Sequence, residues 1–212
     1  MLTKNFQKLQ SEVASHVEAD KVAQDSYQTC FIGCLAKKRN DPEFIQSEYG
    51  IPLAVSRIAE AIFDGLPAAE APLFFAAFPA AVGCDGKDLT RVVWQFLAAE
   101  LRSLPAAPDN VQTVIDSVIA GMDRLASGLE WKEAEATASM AQVMAWSSAI
   151  AADAADAATI AAIAADAARA AIATGAAATR AADATRVAAR LADAPLCQRD
   201  LLLKLIKEAP VV

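Results

Sequence analysis

Leu2, Phe6, Leu9, Val13 and Val17 recur at steps of three and four residues, which places them on one face of an α-helix. The pattern predicts a first amphipathic helix over about 3–23, with Lys4, Lys8 and Glu12 on its polar side. A short second helix is expected over 27–36. It ends in Lys37-Lys38-Arg39, where positive charge complements the carboxyl end of the helix dipole. Asn40-Asp41-Pro42-Glu43 reads as a cap with proline at the first helical position, and Gly50 as the stop after Tyr49. Pro52 opens a fourth helix with Leu53, Ile58, Ala61 and Ile62 on its apolar face, closed by Gly65 and Pro67. Between 68 and 81 the chain is apolar nearly all round, Leu73, Phe74, Phe75 and Phe78 included, so this segment is expected at the centre of the domain.

Gly83-Cys84-Asp85-Gly86-Lys87 has turn chemistry, and Asp88 is placed to cap a helix over 89–104 that carries Val93, Trp94, Phe96 and Leu97. Pro105 and Pro108 bracket a connector. Asp109 or Asn110 then caps a helix whose stripe of Val111, Val114, Ile115, Val118, Ile119, Met122 and Leu125 runs to Gly128. The tract 131–194 has no proline and one glycine, Gly175, and alanine dominates it. An unbroken helix of that length would reach about 95 Å at 1.5 Å per residue, far beyond the width of the preceding domain. A break or fold-back is therefore expected, at Gly175 or at Ser147-Ser148. Asp166, Arg169, Arg180, Asp183 and Arg190 occupy positions of a seven-residue repeat and line one stripe, leaving alanine for close packing against a neighbouring helix. Pro195 ends the tract, and Leu201, Leu202, Leu205 and Ile206 mark a last amphipathic helix over 196–209. The expected fold class is all-α, with a multihelical domain over 1–128, an alanine-rich helical arm or hairpin over 129–194, and a C-terminal amphipathic helix over 195–212.

Composition adds exclusions more than assignments. Apolar residues make up 55% of the chain, but many are alanines, which signal helix more than core. Acidic residues outnumber basic ones by 26 to 19, and the resulting charge of −7 disfavours a nucleic-acid partner. The residues after Met1 lack the apolar run of a signal peptide, so no export is expected. Asp153, Asp156, Asp166 and Arg169 interrupt the apolar stretch 149–182. Each central Asp or Arg costs about 2.5–3.5 kcal/mol of membrane insertion, so no span is expected. A cytoplasmic location follows as the expectation, with reduced thiols at Cys30, Cys34, Cys84 and Cys197.

Cys30 and Cys34 stand one helical turn apart, and with Cys84 and the single histidine, His16, they form the set from which a metal site could be assembled. His16 is also the sole imidazole able to act as base for a thiol nucleophile. The spacing favours cysteines packed as small apolar side chains and a solvated histidine beside Glu12 and Asp20. Glu60, Asp64 and Glu70 lack paired ligand spacing and read as a solvated helix face. The glycine loop at 83–87 lacks a Gly-Lys-Ser/Thr ending and a preceding strand, so it reads as a turn. No catalytic group, cofactor or metal is assigned.

Phe31-Ile32-Gly33-Cys34-Leu35-Ala36, Glu48-Tyr49-Gly50-Ile51-Pro52-Leu53 and Ala61-Ile62-Phe63-Asp64-Gly65-Leu66-Pro67 follow one another along the chain. Trp94, Trp131 and the terminal Leu201-Leu202-Leu203-Lys204-Leu205-Ile206-Lys207 complete the pattern. In this order they resemble an uncharacterised family of alanine-rich helical proteins common in phage and mobile-element genomes. The alanine tract keeps one tryptophan, Trp146, where those relatives interleave several aromatics. The resemblance implies no reaction. It implies a non-enzymatic inhibitor that binds a protein partner, either a host defence component (anti-CRISPR type) or a toxin (immunity type), by steric occlusion. The exposed charges Asp166, Arg169, Arg180 and Arg190 would be the contact surface, with Lys37, Lys38 and Arg39 as a second patch. Two other readings stand beside it: a small-molecule or metal-dependent enzyme, and a structural module that self-associates through alanine packing.

Overall fold

The computed structural model describes residues 1–19, 21–24, 29–36, 41–104, 109–132, 135, 183, 185 and 194–212. Among these the fold is all-helical: α1 (Phe6–Glu18), α2 (Phe31–Leu35), α3 (Pro42–Tyr49), α4 (Leu53–Gly65), α5 (Ala71–Val82), α6 (Val92–Ser103), α7 (Asp109–Ala126) and α8 (Ala194–Glu208). No described helix is long and apolar enough to cross a membrane.

Local sequence chemistry sets several of these boundaries. Asp41 Oδ1 accepts from the Phe44 amide at 2.9 Å, Pro42 occupies the first turn of α3, and Gly50 ends it in the left-handed region at φ 68°. Glycine is also required there by space, because a Cβ on Gly50 would lie 2.0 Å from the Leu2 carbonyl oxygen. Helix α1 begins three residues later than its apolar periodicity predicts. Thr3 and Lys4 are taken by long-range bonds, the Thr3 amide to the Lys87 carbonyl and the Lys4 amide to the Tyr49 carbonyl, each 2.9 Å. The first amide of α1, on Phe6, is capped at 2.7 Å by Asp85 from the glycine loop, and Asn5 instead donates to the Glu48 carbonyl.

That loop joins both chain ends. Gly86 donates to the Thr3 carbonyl at 2.8 Å and accepts from Val212 at 2.9 Å, and isolated antiparallel bridges pair Leu2 with Asp88 and Lys87 with Val211. The turn expected from its glycines is thus a fastener between the termini. Asp88 caps less than expected: its Oδ1 accepts from the Thr90 amide at 3.0 Å, and α6 proper starts at Val92.

The core gathers around Phe31 of the five-residue helix α2. Its ring lies 4.9 Å from Phe78 and 5.6 Å from Phe75, both edge to face, and 5.7 Å from Phe74, stacked, with Phe63 of α4 at 6.3 Å. Such a short helix has too few internal bonds to persist alone, and burial of all five residues holds it in place. Helix α8 packs against α4, α5 and α6, and its Leu202 and Ile206 are fully buried in the same cluster as Phe74 and Phe96. The C-terminal helix therefore completes the core built by α1–α6.

Candidate functional site

Helix α5 supplies the core as its apolarity predicts, but only through one face. Phe74, Phe75 and Phe78 face inward and are fully buried, whereas Leu73 is 61% exposed and Ala76, Ala77 and Ala80 are also open. An inward face of large aromatics and an outward face of small residues leaves a hollow where α1 packs alongside. The groove has a volume of about 480 Å3. Val13, Ala14 and Val17 of α1 and Ala76, Pro79 and Ala80 of α5 form its walls, with Gln10 and Glu18 at the rim. Val17, part of the predicted apolar stripe, is 39% exposed here. Pro79 has no amide to offer the Phe75 carbonyl one turn back.

His16 stands on α1 against Phe75 of the core. Its Nδ1 lies 2.9 Å from the Glu12 carbonyl, and its ring meets Phe75 edge-on at 6.5 Å. It is half-buried and engaged, where the sequence suggested a solvated side chain.

The two close cysteines are buried. Cys30 caps α2, its Sγ accepting from the Gly33 amide at 3.4 Å, and Cys34 donates to the Thr29 carbonyl at 3.3 Å. Glu60 of α4, expected on a solvated face, is 7% exposed and accepts from the Ile32 amide at 2.6 Å. Burial, with the neighbouring Glu60 carboxylate, pushes both thiols up to about 12. They are held as thiols, the form least able to attack or to bind a metal. Glu60 itself is raised by burial, against the lowering effect of its bonds from Cys30 and the Ile32 amide. Asp64 lies on the exposed side of α4, and Glu70 pairs with Arg199 of α8 at 2.6 Å. Among the described residues, no three of His16, Cys30, Cys34 and Cys84 converge on a point that could hold a metal ion, and neither does any other group of such side chains.

A second buried polar cluster joins α6 to α8. Gln198 Nε2 donates to Glu100 Oε2 at 2.6 Å and to the Thr185 carbonyl at 3.2 Å. Nothing in the sequence marked Glu100 or Gln198, because each looks like an ordinary polar position on its helix.

The contact residues drawn from the sequence, Asp166, Arg169, Arg180 and Arg190 of the arm and the patch Lys37, Lys38 and Arg39, lie outside the described residues, as do Gly175 and Ser147-Ser148. The α1–α5 groove takes their place as the candidate site, and its sequence signal was the run of small residues alternating with phenylalanines in α5. Comparison with protein-family models, curated proteins and solved structures returns no significant match to the chain.

Proposed function

We propose that the protein is a non-enzymatic binding protein that seats an amphipathic helix of a protein partner in the groove between α1 and α5. The carrying observation is the apolar hollow itself, together with Leu73, which is exposed on a helix that otherwise buries its large side chains. Covering a leucine of that exposure contributes about 1.5–3 kcal/mol, and the alanines beside it let a second helix approach closely. Helix-in-groove recognition uses apolar anchors at one-turn spacing, for which Val17, Ala76 and Ala80 supply the receiving wall. Glu18 at the rim and the net charge of −7 select a helix whose flanks carry lysine or arginine. The resemblance to alanine-rich phage and mobile-element proteins makes the partner a host defence component or a toxin, which bound in this way would be blocked by occlusion.

Selection from a displayed library of amphipathic helical peptides tests the reading, with Ala80→Glu as the counter-target. Ala80 is exposed, so this variant keeps the fold while placing a charge in the groove. Basic-flanked peptides that bind the native protein and lose at least about tenfold in affinity on Ala80→Glu support the proposal, a difference of about 1.4 kcal/mol. Peptides that bind both proteins equally, or a library that yields no binder, overturn it.

A further inference from the structure

Glu100 and Gln198 come from helices 98 positions apart in sequence and meet in the interior, 7% and 1% exposed. Both hydrogens of the Gln198 amide are used, one on Glu100 Oε2 and one on the Thr185 carbonyl. Gln198 Oε1, also buried, has no hydrogen-bond partner among the described residues. A carboxylate offers only acceptors, so an ionised Glu100 cannot supply the missing donor. A carboxylic acid can. Its C=O and O–H edge is complementary to the N–H and C=O edge of a primary amide, and one half of that ring is already in place.

Among the described residues, no cation is seen to act on Glu100. On α6 itself Arg102 pairs with Asp123 of α7. Also on α7, Arg124 donates to the Glu130 carbonyl and Asp116 accepts from Gln112. On α8, Arg199 is bound to Glu70 and Asp200, and Lys204 and Lys207 are exposed. Arg57 of α4 acts on Glu60, and the other described residue beside Thr185 in the chain, Asp183, is an acid.

From this geometry we infer that Glu100 carries its proton in the folded protein and pairs with Gln198 through two reciprocal hydrogen bonds, forming a pH-sensitive latch that fastens residue 185 to the α6–α8 junction. Burial acts in the same direction, raising the Glu100 carboxyl above its ordinary value against the lowering effect of the bond from Gln198. The latch is closed at low and intermediate pH. As pH rises through the Glu100 pKa, the proton leaves to solvent, the O–H···Oε1 bond is lost, and a buried negative charge remains beside Gln198. The hold on Thr185 then loosens at the end of the alanine tract that joins α8. This inference is independent of the groove.

The full-length protein, labelled with 13C at the glutamate side chains, provides the test. The Glu100 carboxyl carbon, assigned through its own backbone amide, is expected to titrate above the ordinary glutamate value of 4.5. Amide exchange at Asp183 and Thr185 is expected to quicken across the same pH range beyond its ordinary tenfold-per-unit base catalysis. In Glu100→Gln, where an amide–amide pair keeps both bonds, that additional step should vanish. A Glu100 signal titrating at or below the ordinary value of 4.5 overturns the inference, as does an exchange profile at Thr185 with no step in the native protein. If Glu100→Gln fails to fold, the titration in the native protein still decides.

Discussion

The ammonium of Lys87 lies 3.0 Å from the carbonyl oxygen of Ile206, near the end of α8. The same Nζ donates to Lys207 at 2.9 Å and to Ala81, near the end of α5, at 3.1 Å. One lysine thus uses all three of its hydrogens on the carboxyl ends of two helices, where the dipole is negative and the final carbonyls lack amides. Lys87→Met keeps the stem and removes the donors. Hydrogen bonds from a charged group contribute about 1.5–3 kcal/mol each but do not add in full, so we expect a loss of about 2–4 kcal/mol in urea unfolding. A variant within about 0.5 kcal/mol of the native protein would show that water replaces these bonds without cost.

Trp131 and Gly121 make a similar dependence visible by fluorescence. The indole covers the glycine so closely that a Cβ there would sit 2.2 Å from the ring. Gly121→Ala must displace Trp131, which is 9% exposed. The expected result is a red shift of the Trp131 emission, read in a background with Trp94 and Trp146 replaced by phenylalanine. Overpacking of this kind costs about 1–3 kcal/mol, more than the gain from alanine's helix propensity. Unshifted emission would mean that the helix moves and the indole stays.

Some of these elements are coded locally in the sequence and others are not. Asp41, Pro42 and Gly50 define α3 because a cap, a first-turn proline and a left-handed stop act within a few residues of one another. The start of α1 was not legible, since the loop that captures Thr3 and caps Phe6 lies about 80 positions downstream. Glu60 looked solvated because its partner amide, Ile32, is 28 positions upstream on a different helix. The core face of α5 was legible in its phenylalanines, but its open face was not: a helix apolar on nearly every side gives little to say which side the protein leaves uncovered.

Thiol reactivity should divide the four cysteines by burial. Cys197 is exposed and Cys84 partly so, while Cys30 and Cys34 are buried with thiols pushed up to about 12. With an aromatic disulfide reagent at pH 8, Cys197 is expected to react first and Cys84 more slowly. Cys30 and Cys34 should react only at the rate of opening of the α2 region, and fully in denaturant. Modification of all four within the time of the first would show that α2 is not held closed in solution.

Glu60 gives the stability of the protein a sign that can be measured. Its folded-state pKa is raised because burial outweighs the bonds from Cys30 and Ile32, so the folded state holds a proton that the unfolded chain releases near the ordinary value of 4.5. Below that value both states are protonated and the contribution is full. As pH rises toward the folded-state pKa, the unfolded chain gains by ionising and the folded protein does not, so stability falls by up to about 1.4 kcal/mol per pH unit. Asp88, lowered chiefly by its bonds to Thr90, acts the other way, but only at lower pH, where it is being protonated. Glu60→Gln retains an oxygen for the Ile32 amide and cannot ionise. Guanidinium melts from pH 4.5 upward should therefore show a shallower decline in Glu60→Gln than in the native protein, leaving the part owed to Glu100, which is raised in the same sense. Parallel curves for the two proteins would mean that Glu60 ionises in the folded state as it does in water, and that α2 opens enough to hydrate it.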